Sequence, residues 1–175
     1  MADRRIYQLR VAIADSEPAI WRQLLVPSTT LLEDLHRILQ ITLGWRNLSP
    51  YHYRLGKRRS DTEPILLKMP LSEIFRDDLT TITYVYDLRD GWFHTIQLEM
   101  VLPADTNGTY PHCVAGERAC PPEGCGGVWG YEELLDLLDD PSHPEYLARW
   151  DQIGSDFDPE IFRADLVNIQ LQAGT

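Results

Sequence analysis

At 175 residues, with 43% hydrophobic and 25% charged side chains, the chain has the size and composition of one folded domain over 1–175 and not of a disordered segment. No apolar run approaches the roughly 18 residues that cross a bilayer, and Met1-Ala2-Asp3-Arg4-Arg5 leads straight into a strand-like segment without an apolar signal core, which predicts a cytosolic protein with no membrane partner. The net charge of −11 is distributed as +5 over residues 1–60, −7 over 61–131 and −9 over 132–175, which disfavours nucleic-acid binding by phosphate neutralisation.

Tyr7, Leu9, Val11 and Ile13 alternate with Gln8, Arg10, Ala12 and Ala14, so the chain opens with a strand. Ser16-Glu17-Pro18 is a turn, and Ile20 to Val26 returns as the second strand of a hairpin ended by Pro27. Thr30-Leu31-Leu32-Glu33 fits a capping box; Leu31, Leu35, Ile38, Leu39 and Thr42 follow at helical spacing, and Gly44 is a C-terminal stop. Tyr51 to Leu55 reads as a short strand, and the polar residues 56–64 as an exposed loop. Lys57-Arg58-Arg59 within that loop is either a solvated tip or a local basic strip.

Thr80 to Asp87 and Thr95 to Val101 alternate as strands around Asp90-Gly91, a hairpin signal. A two-residue turn there sets Arg89 opposite Trp92, Leu88 opposite Phe93 and Asp87 opposite His94. From Tyr110 to Tyr131 the chain reads as a loop rich in proline, glycine and cysteine. A helix is predicted from Tyr131 to Leu138. A second follows the capping-box pattern Ser142-His143-Pro144-Glu145 and runs to about Trp150. Pro159 to Phe162 forms a further turn of helix, and alternating Val167, Ile169 and Leu171 close the chain as a strand. Hairpins with unevenly placed helices indicate an α+β fold, an antiparallel hairpin-rich sheet with several helices packed on it.

Two constellations are candidates for chemistry. Cys113, Cys120 and Cys125, with His112 beside them, lie in a glycine-rich stretch, and thiolates on a tightly turning backbone can wrap zinc. The cysteine spacing is irregular and contains no Cys-x-x-Cys, so a fourth ligand would come from His112, His94 or Glu123; equally, the thiols serve as small buried hydrophobes in a rigid loop. In the Tyr86–His94 hairpin, an Asp87 facing His94 would orient the imidazole as a base or metal ligand, or the pair is an ordinary cross-strand contact. His52, between Tyr51 and Tyr53, and His36 read as packing residues before functional ones. Phosphate loops, dinucleotide fingerprints and nucleophile elbows are absent from the sequence.

Ile20-Trp21-Arg22 with Val26-Pro27, Leu32 to Trp45, Tyr84-Val85-Tyr86-Asp87 to Trp92-Phe93-His94, Ala119-Cys120-Pro121-Pro122-Glu123-Gly124-Cys125-Gly126-Gly127 with Gly130-Tyr131, and Phe157-Asp158-Pro159 with Phe162 occur in this order. Together they resemble the plasmid pRiA4b ORF-3-like family over nearly the whole chain. The resemblance implies one α+β fold without an established activity; some members carry a resolvase or transposon-passenger label. It also marks Asp87, Asp90, His94 and Glu123 as a candidate polar or catalytic cluster. Two departures stand out: Leu88-Arg89 replaces the usual Phe-Gly of the hairpin, and Gly124 stands where the pattern has Asp after Pro-Pro-Glu. No serine-nucleophile motif or helix-turn-helix tail supports a working recombinase. The expectation is an accessory or interaction domain whose acidic C-terminal third meets a basic protein partner. The alternative is a zinc- or other metal-binding module or enzyme built on the cysteine loop and the hairpin.

Overall fold

A computed structural model of the protein describes residues 5–56, 64–76 and 78–174. The basic triplet at 57–59 and most of the exposed loop expected at 56–64 lie outside the described residues. Six antiparallel strands, β1 (Arg5–Ile13), β2 (Trp21–Pro27), β3 (Tyr51–Leu55), β4 (Thr81–Tyr86), β5 (Trp92–Pro103) and β6 (His112–Glu117), form one sheet in the order β3-β4-β5-β1-β2-β6. The helices are α1 (Leu32–Leu43), the single turn α2 (Leu71–Ile74), α3 (Gly127–Leu138), α4 (Tyr146–Ile153) and α5 (Ala164–Ala173). The fold is α+β.

The two faces of the sheet follow from strand alternation. Tyr7, Leu9, Val11 and Ile13 of β1 and Leu24 and Val26 of β2 point to one side and are buried with α1's Leu32, Leu35 and Leu39. On the opposite face Glu99 accepts from Gln8 at 3.0 Å and from Gln23 at 2.7 Å, and the Arg10 guanidinium lies 4.0 Å from the Trp21 ring centre. One face thus carries the core and the other is polar, as antiparallel sheets allow. Directly paired residues share a face, so the register lines up Tyr51–Tyr86–Trp92 and Tyr53–Tyr84–His94–Ile13 on the core side. The aromatic end of the core is therefore written into the strand pairing.

Helix α1 ends as expected, with Gly44 left-handed at φ 73 and the Trp45 amide donating to the Gln40 carbonyl at 2.9 Å. Its start differs from the capping box: Leu31 is the N-cap and no side chain caps it. The carbonyls of Met69 and Leu67 accept from the Leu32 and Glu33 amides instead, at 3.2 and 3.0 Å. A neighbouring backbone segment has taken the place of the Thr30 and Glu33 side chains.

Four other expectations are corrected. The hairpin turn spans Asp87 to Gly91, because Tyr86 pairs with Trp92, Val85 with Phe93 and Tyr84 with His94. Asp87 is left-handed at φ 53, and its carboxylate accepts from the Arg89 and Asp90 amides at 3.0 and 3.3 Å. This local side-chain turn competes successfully with the two-residue one, and His94 faces Tyr84, not Asp87. The stretch 110–131 is not all loop: His112–Glu117 forms edge strand β6, and α3 begins at Gly127 rather than Tyr131. The second capping box is also unused. Ser142 donates to Asp140 at 2.6 Å, and α4 begins at Tyr146 and runs to Ile153. Finally, Val167, Ile169 and Leu171 lie on helix α5, where only Leu171 is buried. Alternation over five residues does not separate strand from helix, and Asn168 supplies the tertiary reason for the helix. Its side-chain amide donates to the Cys113 carbonyl at 2.9 Å and accepts from the Cys113 amide at 2.7 Å, so it covers the edge of β6 as a strand would.

Candidate functional site

Three loops meet above the aromatic end of the sheet: 44–50 after α1, the hairpin turn 87–91, and 120–126 before α3. Trp45 is the centre of the joint. Its ring stacks on Tyr86 with centroids 4.9 Å apart, meets the His94 ring edge-on at 5.4 Å, and its indole N–H donates to the Pro121 carbonyl at 2.9 Å. Glu123 completes the joint from the third loop. One carboxylate oxygen accepts from the Tyr86 hydroxyl at 2.6 Å; the other accepts from the Arg46 amide at 2.9 Å and from its guanidine Nε at 3.4 Å. The Tyr86 oxygen in turn accepts from the Leu48 amide at 2.9 Å. Burial first, then the bond to Glu123, pushes the Tyr86 hydroxyl up to about 12.

Asp87 and Asp90 tie the hairpin turn to the other two loops. Asp87 accepts from Ser49 Oγ at 2.9 Å, and Asp90 accepts from the Gly126 amide at 3.1 Å. Against partial burial, which raises it, the bonds from Ser49 and the turn amides hold the Asp87 carboxyl below its usual value. Two glycines are required for this closeness. A Cβ on Gly127, which has φ 74, would run into the Asp90 carbonyl oxygen, and one on Gly130 would run into the Cys125 carbonyl oxygen.

Asp87, Asp90 and Glu123 therefore share one joint, but each carboxylate is engaged with different partners and none bonds to His94. His94 lies beneath Trp45, fully buried. Its Nδ1 is 3.4 Å from the Tyr84 carbonyl and its Nε2 has no hydrogen-bond partner among the described residues. Burial lowers its pKa to about 4, so the ring is neutral near pH 7.

The cysteine set does not converge. His112 and Cys113 are neighbours on β6 and so point to opposite faces; Cys113 is buried beside Arg22, while Cys120 and Cys125 sit in the loop before α3, and all three are free thiols. Among the described residues no three His, Cys, Asp or Glu side chains are grouped to hold a metal ion. Burial raises all three thiols, Cys113 to about 11 and Cys120 and Cys125 to about 12, the opposite of a reactive cysteine. His52 accepts from Arg54 at 3.0 Å on β3. His36 is more engaged than its sequence context implies: it stacks on Tyr51 at 3.5 Å and bonds to the Tyr84 hydroxyl and to Asn47 Oδ1 at 2.9 and 2.8 Å.

A large concavity opens beside this joint. A cleft of about 790 Å³ runs between the 122–126 loop, α3 and α4, within the range of ligand sites. Five carboxylates line it, Glu123, Glu133, Asp136, Asp140 and Glu145, against two arginines. Both arginines are already paired: Arg46 with Glu123, and Arg149 with Glu145 at 3.2 Å. Glu133 and Asp136 make no ion pair among the described residues. Sequence reading missed this cleft, although the charge of −9 over residues 132–175 was its signal.

The family model described as plasmid pRiA4b ORF-3-like protein matches residues 5–166. The chain is 33% identical over 167 residues to "Uncharacterized protein y4hQ" of Sinorhizobium fredii, covering 87% of this chain and 84% of the relative. It is similar to the crystal structure of MM3350 of Methanosarcina mazei, titled a protein of unknown function, with a TM-score of 0.84 and 33% identity over 92% of this chain and 96% of that one. Neither name assigns an activity. Among the described residues no helix is long and apolar enough to cross a membrane.

Proposed function

The chain belongs to the plasmid pRiA4b ORF-3-like family, and from that premise we propose that it is a one-domain binding module whose α3–α4 cleft receives a basic segment of a partner protein. The observation that carries this reading is the charge of the cleft. Its lining holds five carboxylates, and the two arginines in it are spent on two of them, which leaves a net negative concavity that steers and holds cations. The loop joint of Trp45, Tyr86 and Glu123 serves this role as a rigid wall, since preorganised walls lower the entropic cost of binding. The same joint gives a structural purpose to the family's Pro-Pro-Glu block.

Isothermal titration with a pentaarginine peptide at moderate salt tests the reading. A chain of charge −11 attracts any polycation weakly, so the comparison is between variants of equal charge. Glu133→Lys with Asp136→Lys is expected to weaken binding at least tenfold, whereas Asp151→Lys with Asp156→Lys, outside the lining, leaves most of it. Equal losses from both pairs would mean that the cleft is not the site.

A further inference from the structure

Helix α3 carries a tryptophan on the rim of the acidic cleft. Trp129 is 80% exposed, and its ring makes no hydrogen bond or ring contact among the described residues. A helical side chain leans over the turn that precedes it. For Trp129 that turn holds Gly126, the N-cap of α3, which has no side chain with which to cover the ring. Trp129, Glu133 and Asp136 stand at i, i+4 and i+7 and so form one stripe of the helix. The two carboxylates lie about 6 and 10 Å farther along its axis. Both line the cleft, and neither makes an ion pair among the described residues.

The same fold holds an occupied form of this arrangement on the polar face of the sheet. There the Arg10 guanidinium lies 4.0 Å from the Trp21 ring centre, and the Trp21 indole N–H donates to Glu117 at 2.7 Å. Trp129 has the ring and the neighbouring carboxylates but no arginine. The two basic side chains would use such a surface differently. A guanidinium is planar and weakly hydrated, so it lies flat on an indole while its in-plane N–H groups still donate to a carboxylate. An ammonium is a compact, strongly hydrated point charge and gains little from the ring. We infer that the cleft recognises its basic partner segment through arginine rather than lysine, one guanidinium lying on Trp129 while it donates to Glu133. This inference rests on the acidic-cleft reading and adds the cation that the cleft selects and the residue that selects it.

Pentaarginine and pentalysine, equal in charge and capped at both ends, separate the two ideas when titrated into the full chain. Pentaarginine is expected to bind about fourfold more tightly, the effect of one stacked cation at an exposed site. Because arginine also pairs better with carboxylates wherever they stand, the decisive comparison is with Trp129 variants. The ring is exposed, so Trp129→Leu should leave the fold intact, and it should bring pentaarginine to within about twofold of pentalysine. Trp129→Phe, which keeps a smaller aromatic face, should fall between the two. If the peptides bind the parent chain alike, or the arginine preference survives in Trp129→Leu, Trp129 does not select the cation and the acidic-cleft reading still stands. An equal loss for both peptides in Trp129→Leu would likewise overturn the selection, since the ring would then be an indifferent contact. If neither peptide binds the parent chain, both readings fall.

Discussion

Replacing Glu123 by alanine should uncouple the three loops, and the cost can be worked from the contacts. The side chain is 14% exposed and accepts from the Tyr86 hydroxyl at 2.6 Å and the Arg46 amide at 2.9 Å. Hydrogen bonds to a charged group contribute about 1.5–3 kcal/mol each. The Arg46 guanidinium, 76% exposed at 3.4 Å, adds no more than about 1 kcal/mol, since solvent screens it. Glu123→Ala also leaves the hydroxyl of the buried Tyr86 without an acceptor. The expected loss is about 3 kcal/mol, read as a lower urea midpoint with an unchanged slope. Glu123→Gln keeps an acceptor for Tyr86 and should lose about half as much. If alanine cost less than about 0.5 kcal/mol, within the range of ordinary surface substitutions, the loop joint would not be holding the wall of the cleft.

His94 makes stability depend on pH in a defined direction. Its pKa lies at about 4 in the fold and near 6.5 when unfolded, so its contribution is complete above pH 6.5 and lost as pH falls toward 4, by about 3 kcal/mol. Urea titrations of His94→Phe beside the parent should show that slope removed between pH 6.5 and 4.5; parallel curves would contradict a buried neutral imidazole. Asn168→Ala strips the edge of β6 of both bonds at Cys113 and should cost about 1–3 kcal/mol in chemical denaturation, whereas an unchanged midpoint would show that the edge needs no cover. Gly127→Ala combines φ 74 with a collision at the Asp90 carbonyl, so a loss of more than about 2 kcal/mol is expected by thermal unfolding. Gly124 has open space at its Cβ position despite φ 76 and lines the cleft. Gly124→Asp, which returns the usual family residue, should cost no more than about 1 kcal/mol and tighten pentaarginine binding; weaker binding would count against the cleft's charge as its operating principle.

Much of the fold was legible because period and punctuation agreed. The alternation of Tyr7, Leu9, Val11 and Ile13 marks β1, and Gly44 ends α1 where its left-handed conformation is needed. The errors have physical causes. Asp90-Gly91 suggests a tight turn, but the Asp87 side chain caps the turn amides and widens it, which moves His94 opposite Tyr84 and dissolves the expected Asp–His pair. The tail is helical because Asn168 pairs with β6 across 55 residues, a contact no local pattern carries. Composition hid β6 inside an apparent loop, since Pro111 precedes and Gly116 interrupts a strand only six residues long. The candidate residues Asp87, Asp90 and Glu123 were found together through the resemblance, but the cleft beside them was not. Its carboxylates come from the loop before α3, from α3 itself and from the α3–α4 connection, so only the tertiary fold assembles them.

Nitrogen-15 NMR of the full chain, titrated with pentaarginine and with pentaglutamate as control, tests the account where it is most exposed. Pentaarginine is expected to shift the amides of Glu133, Asp136, Leu137 and Asp140 and the Trp129 indole N–H, with shifts that diminish as salt rises, and pentaglutamate to move none of them. Shifts clustered on the polar face of the sheet, around Gln8, Gln23 and Glu99, with α3 unmoved, would contradict it.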